Sequence, residues 1–406
     1  MKAKIVAGLG LTLIALQVMA EDKVLRVATW DSGESVNVLT QTAKLFEKTH
    51  PGVKVQIEAY GDGFDQKLAA AFGAQNPPDV TYMWNFPDYA ASLEPLDDYI
   101  KKDKSLKLND LVPGLLNYNK VGGKLYGLPA GFSSYALYYN KTMFDKAGVA
   151  YPNDNWTWDD VRAAARKIRN KEQKQYGYGV DANPDPYDLQ SFLWSNGATM
   201  VSPDGKKING YFNSPQSKQV FEMFADMVNK EEAVLFGTGD NKSYRDLFIA
   251  DKLAMVVSGV WPRGAFIKAN KQFGVAMLPS FKGKPPVSVV AQSAVSIAKD
   301  SKNKPLAWEF IKFYVSPEAV VLRKDTDLPV SLTVARNENF LKDPYVAPFY
   351  KVMQKGSRTP AFLLAKGWSK AQDTLLEGIQ EALLKRSDIG AILDKIAKKA
   401  EGKLVP

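Results

Sequence analysis

The 406-residue chain contains no cysteine and a single histidine. Without cysteine there are no disulfides, no thiol nucleophile and no thiolate metal site. The lone His50 sits in Thr49-His50-Pro51-Gly52, a turn sequence. Together these exclude the commonest zinc sites and the usual Ser-His and Cys-His nucleophile systems. No phosphate loop of the form G-x-x-x-x-G-K-[ST] occurs, and no G-x-G-x-x-G follows a strand pattern. Gly61-Asp62-Gly63 and Gly237-Thr238-Gly239 read as turns. Carboxylates are plentiful, yet no pattern singles out a pair for glycosidase work. Internal repeats and low-complexity segments are also missing. No catalytic residue, metal or cofactor is therefore expected.

Long apolar runs are absent too. Ile5–Leu16 spans twelve residues, short of the roughly 20 that cross a bilayer. Lys2 and Lys4 precede it, and Val18-Met19-Ala20 follows as a small-residue cleavage site. The pattern predicts a signal peptide over 1–20, cleaved after Ala20. No cysteine follows to receive a lipid, so an exported protein would diffuse away from a cell without an outer membrane. The periplasm of a double-membraned bacterium is the expected location.

Removing Lys2 and Lys4 leaves 51 basic and 44 acidic residues, a net +7 against +9 for the full chain. The excess is dispersed. Lys101-Lys102 and Lys398-Lys399 are short pairs that read as solvated faces, so no nucleic-acid partner is expected. Apolar residues are 45% and charged residues 24%, an ordinary globular balance. The length exceeds what one core supports, so two domains are expected.

Periodicity gives an α/β reading. Val24–Thr29 predicts a buried strand. Val36, Leu39, Ala43 and Phe46 recur at helical spacing until His50-Pro51-Gly52 stops them. Val53, Val55 and Ile57 alternate with polar residues as a strand does. Strand, helix, strand is the unit of a sheet covered by helices. Further strands are expected at 79–83, 126–128, 136–139, 253–257 and 273–277. Further helices are expected at 64–72, 305–315, 368–384 and 389–400. Thr157 with Asp160 predicts a capping box, and Ser214-Pro215 starts another helix.

Eight Trp and eighteen Tyr are many for a chain without catalytic apparatus. Trp30 and Trp84 each directly follow a predicted strand, and Trp261 follows another through Ser258-Gly259. Ligands of open α/β sheets bind at the carboxyl ends of strands. Asp31, Ser32 and Glu34 follow the first Trp; Asn85 and Asp88 follow the second. An aromatic face with nearby carboxylates and amides suits a sugar, whose C–H face stacks while its hydroxyls hydrogen-bond.

Five segments carry a family resemblance. They are Phe46–Ile57 (FEKTHPGVKVQI), Pro78–Trp84 (PDVTYMW), Tyr126–Phe144 (YGLPAGFSSYALYYNKTMF), Phe248–Trp261 (FIADKLAMVVSGVW) and Pro305–Pro317 (PLAWEFIKFYVSP). In this order, from about Leu25 to the C-terminus, the chain resembles the family 1 extracellular solute-binding proteins, relatives of the maltose-binding protein.

The resemblance implies the two-lobe periplasmic binding protein fold, with a multi-segment hinge and ligand in the interlobe cleft. The implied lobes are 21–131 plus 288–327 and 132–287 plus 328–406, with crossings near 131–134, 286–291 and 327–331. Asp31, Glu34, Trp84, Asn85 and Asp88 match binding positions of the first lobe. Tyr187, Trp261 and Trp368 match sugar-stacking aromatics of the second. Trp368 has a competing reading, a helix-start residue packed on its own lobe. Ser133 falls where maltose-type relatives carry a carboxylate, which departs from a maltodextrin site. Arg263 and Gln292 are expected hydroxyl or anion partners by position.

The implied function is sugar capture for an ABC importer, by a monomer that docks on membrane permease subunits and is not itself membrane-embedded. The competing readings are the same fold holding a polyamine, a phosphate ester or an anionic oligosaccharide, and a periplasmic carbohydrate-active enzyme.

Overall fold

The computed structural model describes residues 23–405, apart from 113, 241–242, 325–326 and 357, and only the backbone of 34 and 62. The expected signal peptide and its cleavage site lie outside the described residues.

Twelve strands are described. In chain order they are β1 (Lys23–Thr29), β2 (Val53–Ala59), β3 (Val80–Met83), β4 (Lys120–Val121), β5 (Lys124–Leu125) and β6 (Leu128–Ser133). Then follow β7 (Ala136–Asn140), β8 (Tyr176–Asp181), β9 (Ala233–Phe236), β10 (Leu253–Ser258), β11 (Phe273–Met277) and β12 (Ala291–Ile297). Two five-stranded sheets result, ordered β2-β1-β3-β12-β6 and β11-β7-β10-β8-β9, with β4-β5 a separate hairpin.

In the first sheet β1, β2 and β3 are parallel, while β12 runs antiparallel to β3 and β6. The parallel strands are linked through helices, as the βαβ reading requires. Helix Glu34–Thr49 and helix Lys304–Tyr314 cover this sheet. Phe46 and Phe310 meet edge-to-face between them, with centroids 5.1 Å apart. Such pairs add to the burial of their area.

In the second sheet β8, β9 and β10 are parallel, and β7 alone is reversed, running antiparallel to both β10 and β11. Helix Trp158–Ile168 packs on β8. A Cβ on Gly177 would lie 2.3 Å from the Ala165 backbone, so only glycine permits that approach. Thr157 and Asp160 form the expected capping box: the Thr157 N–H donates to the Asp160 carboxylate at 2.8 Å.

The chain passes between the sheets where β6 gives way to β7 at Ser134-Tyr135, and again between β11 and β12. Strand β6 continues through Ser133, so a lobe boundary at 131/132 would cut it. A third passage lies beside the first, where Leu328 bridges to Phe132. One apolar cluster spans these passages, joining Leu115 and Phe132 to Val256 and Phe273. The other two large clusters each serve one sheet.

Both sheets present the carboxyl ends of their parallel strands to the space between them. Among the described residues no helix is long and apolar enough to cross a membrane.

Candidate functional site

A cavity of about 750 Å³ lies between the sheets. That is the size of a pocket for a small organic ligand, roughly 300–1,000 Å³. Its walls come from strand ends and from the passages between the sheets.

Trp30, directly after β1, forms part of the floor. Its indole meets Phe64 and Tyr82 edge-on, at 5.2 and 5.1 Å between centroids. Trp84, directly after β3, stands 43% exposed, and its Nε1–H donates to Asp65 at 3.4 Å. Trp261, from the other sheet, is 45% exposed and meets Tyr135 edge-on at 5.9 Å. Apolar surface of this size is ordinarily buried, so two half-bare indoles lining one cavity make an unusual exposed aromatic surface. Gly259 is required here: a Cβ would lie 2.4 Å from the Trp261 ring.

Phe362 and Tyr187 complete the aromatic wall. Their centroids are 5.8 Å apart, and the Tyr187 hydroxyl donates to the Val290 carbonyl at 2.5 Å. The Asp185 side chain caps the helix Pro186–Ser195 by accepting from the Tyr187 N–H at 2.7 Å.

Four carboxylates face the cavity, those of Asp31, Asp65, Asp185 and Asp327, and no Lys, Arg or His is among the described lining residues. Burial raises the Asp31 pKa, against hydrogen bonds from Thr29 and Tyr82 and the nearby Arg323 charge. Asp327 packs so tightly on the first passage that a Cβ on Gly131 would lie 2.6 Å from its Cγ.

Several wall donors are already engaged within the protein. The Ser133 hydroxyl donates to the Ser134 carbonyl and accepts from the Val260 N–H, both at 2.9 Å. Asn119 Nδ2 donates to the Gly127 carbonyl at 3.0 Å. Gln292 Nε2 donates to Asn119 Oδ1, which leaves its buried Oε1 without a partner. The cavity thus offers chiefly acceptors, and it suits a ligand rich in donors.

Of the residues expected from sequence, the cavity brings together Asp31, Trp84, Ser133, Tyr187, Trp261 and Gln292. The Glu34 side chain lies outside the described residues. Asn85 and Asp88 do not line it. Asn85 caps the short helix Phe86–Tyr89, and its Nδ2 donates to the Asp88 carboxylate at 2.7 Å. Arg263 pairs with Asp343 at 3.4 Å and is also absent from the wall.

Trp368 is 6% exposed in the core of the second sheet, with its Nε1–H donating to Gln372 at 2.6 Å. The competing reading of this Trp describes its position; it reaches the cavity only through Gln372. Sequence reasoning missed Asp65, Asp185, Asp327 and Phe362. None follows a strand of its sheet directly, and each arrives from a loop or helix end that only the tertiary fold brings in.

The chain matches the model of the bacterial extracellular solute-binding protein family over residues 29–321. It belongs to that family.

Among its relatives is a putative binding protein of Brucella abortus, 24% identical over 413 residues, covering 98% of this chain and 97% of the relative. The maltotriose-binding protein of Pyrococcus abyssi is 24% identical, covering 91% of this chain and 80% of its own length. The sn-glycerol-3-phosphate-binding periplasmic protein UgpB of Agrobacterium fabrum is 23% identical, covering 91% and 90%. Among solved structures, the sugar-binding protein MalE of Xanthomonas citri superposes with a TM-score of 0.82 at 19% identity, covering 94% of this chain and 97% of that one. The family member thus has the two-lobe fold, one sheet per lobe.

Proposed function

We propose that this solute-binding protein is the exported capture subunit of an ABC importer and that it holds a sugar or short oligosaccharide in the interlobe cavity. One observation carries the reading: Trp84 and Trp261 present half-bare indoles to one cavity from the ends of opposite sheets, beside carboxylates that accept hydrogen bonds. Stacking on the apolar face of a pyranose and hydrogen bonding to its hydroxyls use those two features together. The sugar ligands named for the Pyrococcus and Xanthomonas relatives support it.

A phosphate ester, as named for the Agrobacterium relative, would need Arg or Lys to meet its charge. The described wall has neither. A carbohydrate-active enzyme would turn over an oligosaccharide; capture needs only binding.

The lobes we propose are 21–134 plus 288–327 and 135–287 plus 328–406, the first boundary lying at the Ser134-Tyr135 passage instead of at 131/132. The passages act as the hinge. Closure follows from contacts that a ligand makes to both lobes only in the closed state. The protein works as a periplasmic monomer, and its permease partners recognise the closed form.

Intrinsic Trp fluorescence against mono- and oligosaccharides, polyamines and phosphate esters tests this. A saturating change with a saccharide is expected. A change with phosphate esters alone contradicts it, as does release of product from an oligosaccharide.

A further inference from the structure

A second hollow of about 200 Å³ opens behind Trp261, which lines both it and the main cavity. It sits at the carboxyl ends of β8, β9 and β10, where Asp181, Phe236 and Ser258 end their strands. Aromatic rings form its wall, among them Tyr135, Tyr178, Phe236 and Tyr244 beside Trp261. Two carboxylates, Asp181 and Asp188, line it.

From this geometry we infer that the hollow is a subsite for an ammonium group, so that the preferred ligand is a saccharide bearing a basic nitrogen. The inference rests on the sugar reading of the main cavity.

Aromatic faces attract a cation through the ring quadrupole, and enclosing rings recognise ammonium groups in this way. The two carboxylates supply the opposite charge. Rings alone would suit any apolar group, and carboxylates alone would suit hydroxyls. The combination selects a cation with C–H surface around it.

The protein leaves that charge unmet. No Lys, Arg or His lines the hollow among the described residues. Arg245 packs on the Tyr244 ring, 5.8 Å from its centroid, but is not in the wall. The charged groups acting on Asp188 are Asp185 and Asp181, both negative, while the Tyr135 hydroxyl favours its ionised form. Asp31 differs, since Arg323 acts on it. Burial raises the pKa of Asp181, and that of Asp188 to about 6. A cationic ligand would relieve both.

The arrangement does not suit a metal ion. Among the described residues no three His, Cys, Asp or Glu stand close enough to hold one. The carboxylates are instead spread along an aromatic path, with Asp181 and Asp188 in the hollow and Asp31, Asp65, Asp185 and Asp327 in the main cavity. That spacing fits an extended organic ligand with its charge at one end.

The test compares glucosamine oligomers with their N-acetylated counterparts, which keep the ring skeleton and lose the charge, and adds spermidine as a non-sugar amine. Dissociation constants would be measured by calorimetry on the mature protein and on Asp181→Asn and Asp188→Asn. The free-amine oligomer is expected to bind at least tenfold more tightly than the acetylated one. Each substitution should bring that ratio toward one, and thermal unfolding would show that the variants are folded. Equal or tighter binding of the acetylated oligomer overturns the subsite and leaves the sugar reading standing. A preference for the amine that survives both substitutions overturns the subsite as well. Binding of none of the probes overturns the subsite, and binding of spermidine with no saccharide bound overturns the sugar reading itself.

Discussion

The indole of Trp84 and the ring of Phe362 meet across the cleft, with centroids 6.4 Å apart and planes tilted by 58°. Trp84 directly follows a strand of the first sheet, while Phe362 packs against the core of the second. The contact joins the two lobes across the cavity that both residues line. Phe362→Ala should therefore shift the empty protein toward open states and weaken saccharide binding. Small-angle scattering should show a larger radius of gyration in the absence of ligand. Kd should rise about tenfold, or ~1.4 kcal/mol.

Gly259→Ala tests how the Trp261 indole is held. The added methyl would lie 2.4 Å from the ring, so the indole must move. The sheet residues before it are unaffected. A changed Trp emission spectrum and a weakened saccharide affinity are expected, with a melting temperature close to that of the parent.

Trp368→Ala should act on stability. The side chain is 6% exposed within the core of the second sheet. Removing a buried Trp typically costs about 3–5 kcal/mol. Chemical denaturation should show a loss of that order. The fraction that remains folded should bind saccharide far better than Trp84→Ala does.

Asp188 gives a pH dependence. Its pKa is raised to about 6 by burial, above the ordinary unfolded value near 3.9. The folded state thus prefers the proton, and the group destabilises the fold once it ionises. As pH falls through about 6 toward 4, the empty protein gains stability from this site. Asp188→Asn should stabilise it at pH 7, by an amount on the order of 2 kcal/mol. Melting temperatures of parent and variant at pH 7 and pH 4.5 check this: the gap should narrow at the lower pH.

Much of the scaffold was legible in the sequence. Apolar periodicity located β1, β2, β3, β7, β10 and β11 within a residue or two, because buried strands and amphipathic helices leave strong patterns. Strand β8 was not legible: Gly177 and Gly179 interrupt its apolar run, and their reason is a close-packed neighbour that only the fold reveals. Strand β12 hid because its first half, Ala291-Gln292-Ser293, is polar and half-buried beside the cavity.

The site divides along the same line. Trp84 and Trp261 could be found because strand ends are where such sheets bind ligands. Asn85 and Asp88 stood beside one of them, but Asn85 is spent on capping a helix and Asp88 on pairing with Asn85. Trp368 carried the right residue type but turned inward. Phe362 lies in a loop-flanked turn of helix, and nothing near it in sequence marks it as facing Trp84.

The most direct measurement is a calorimetric titration of a binding saccharide into the mature protein, into Trp84→Ala, into Trp261→Ala and into the double variant. Each single substitution is expected to weaken binding at least tenfold, and the double variant should bind too weakly to measure while remaining folded. Unchanged affinity in the double variant would place the ligand elsewhere and contradict capture between the two indoles.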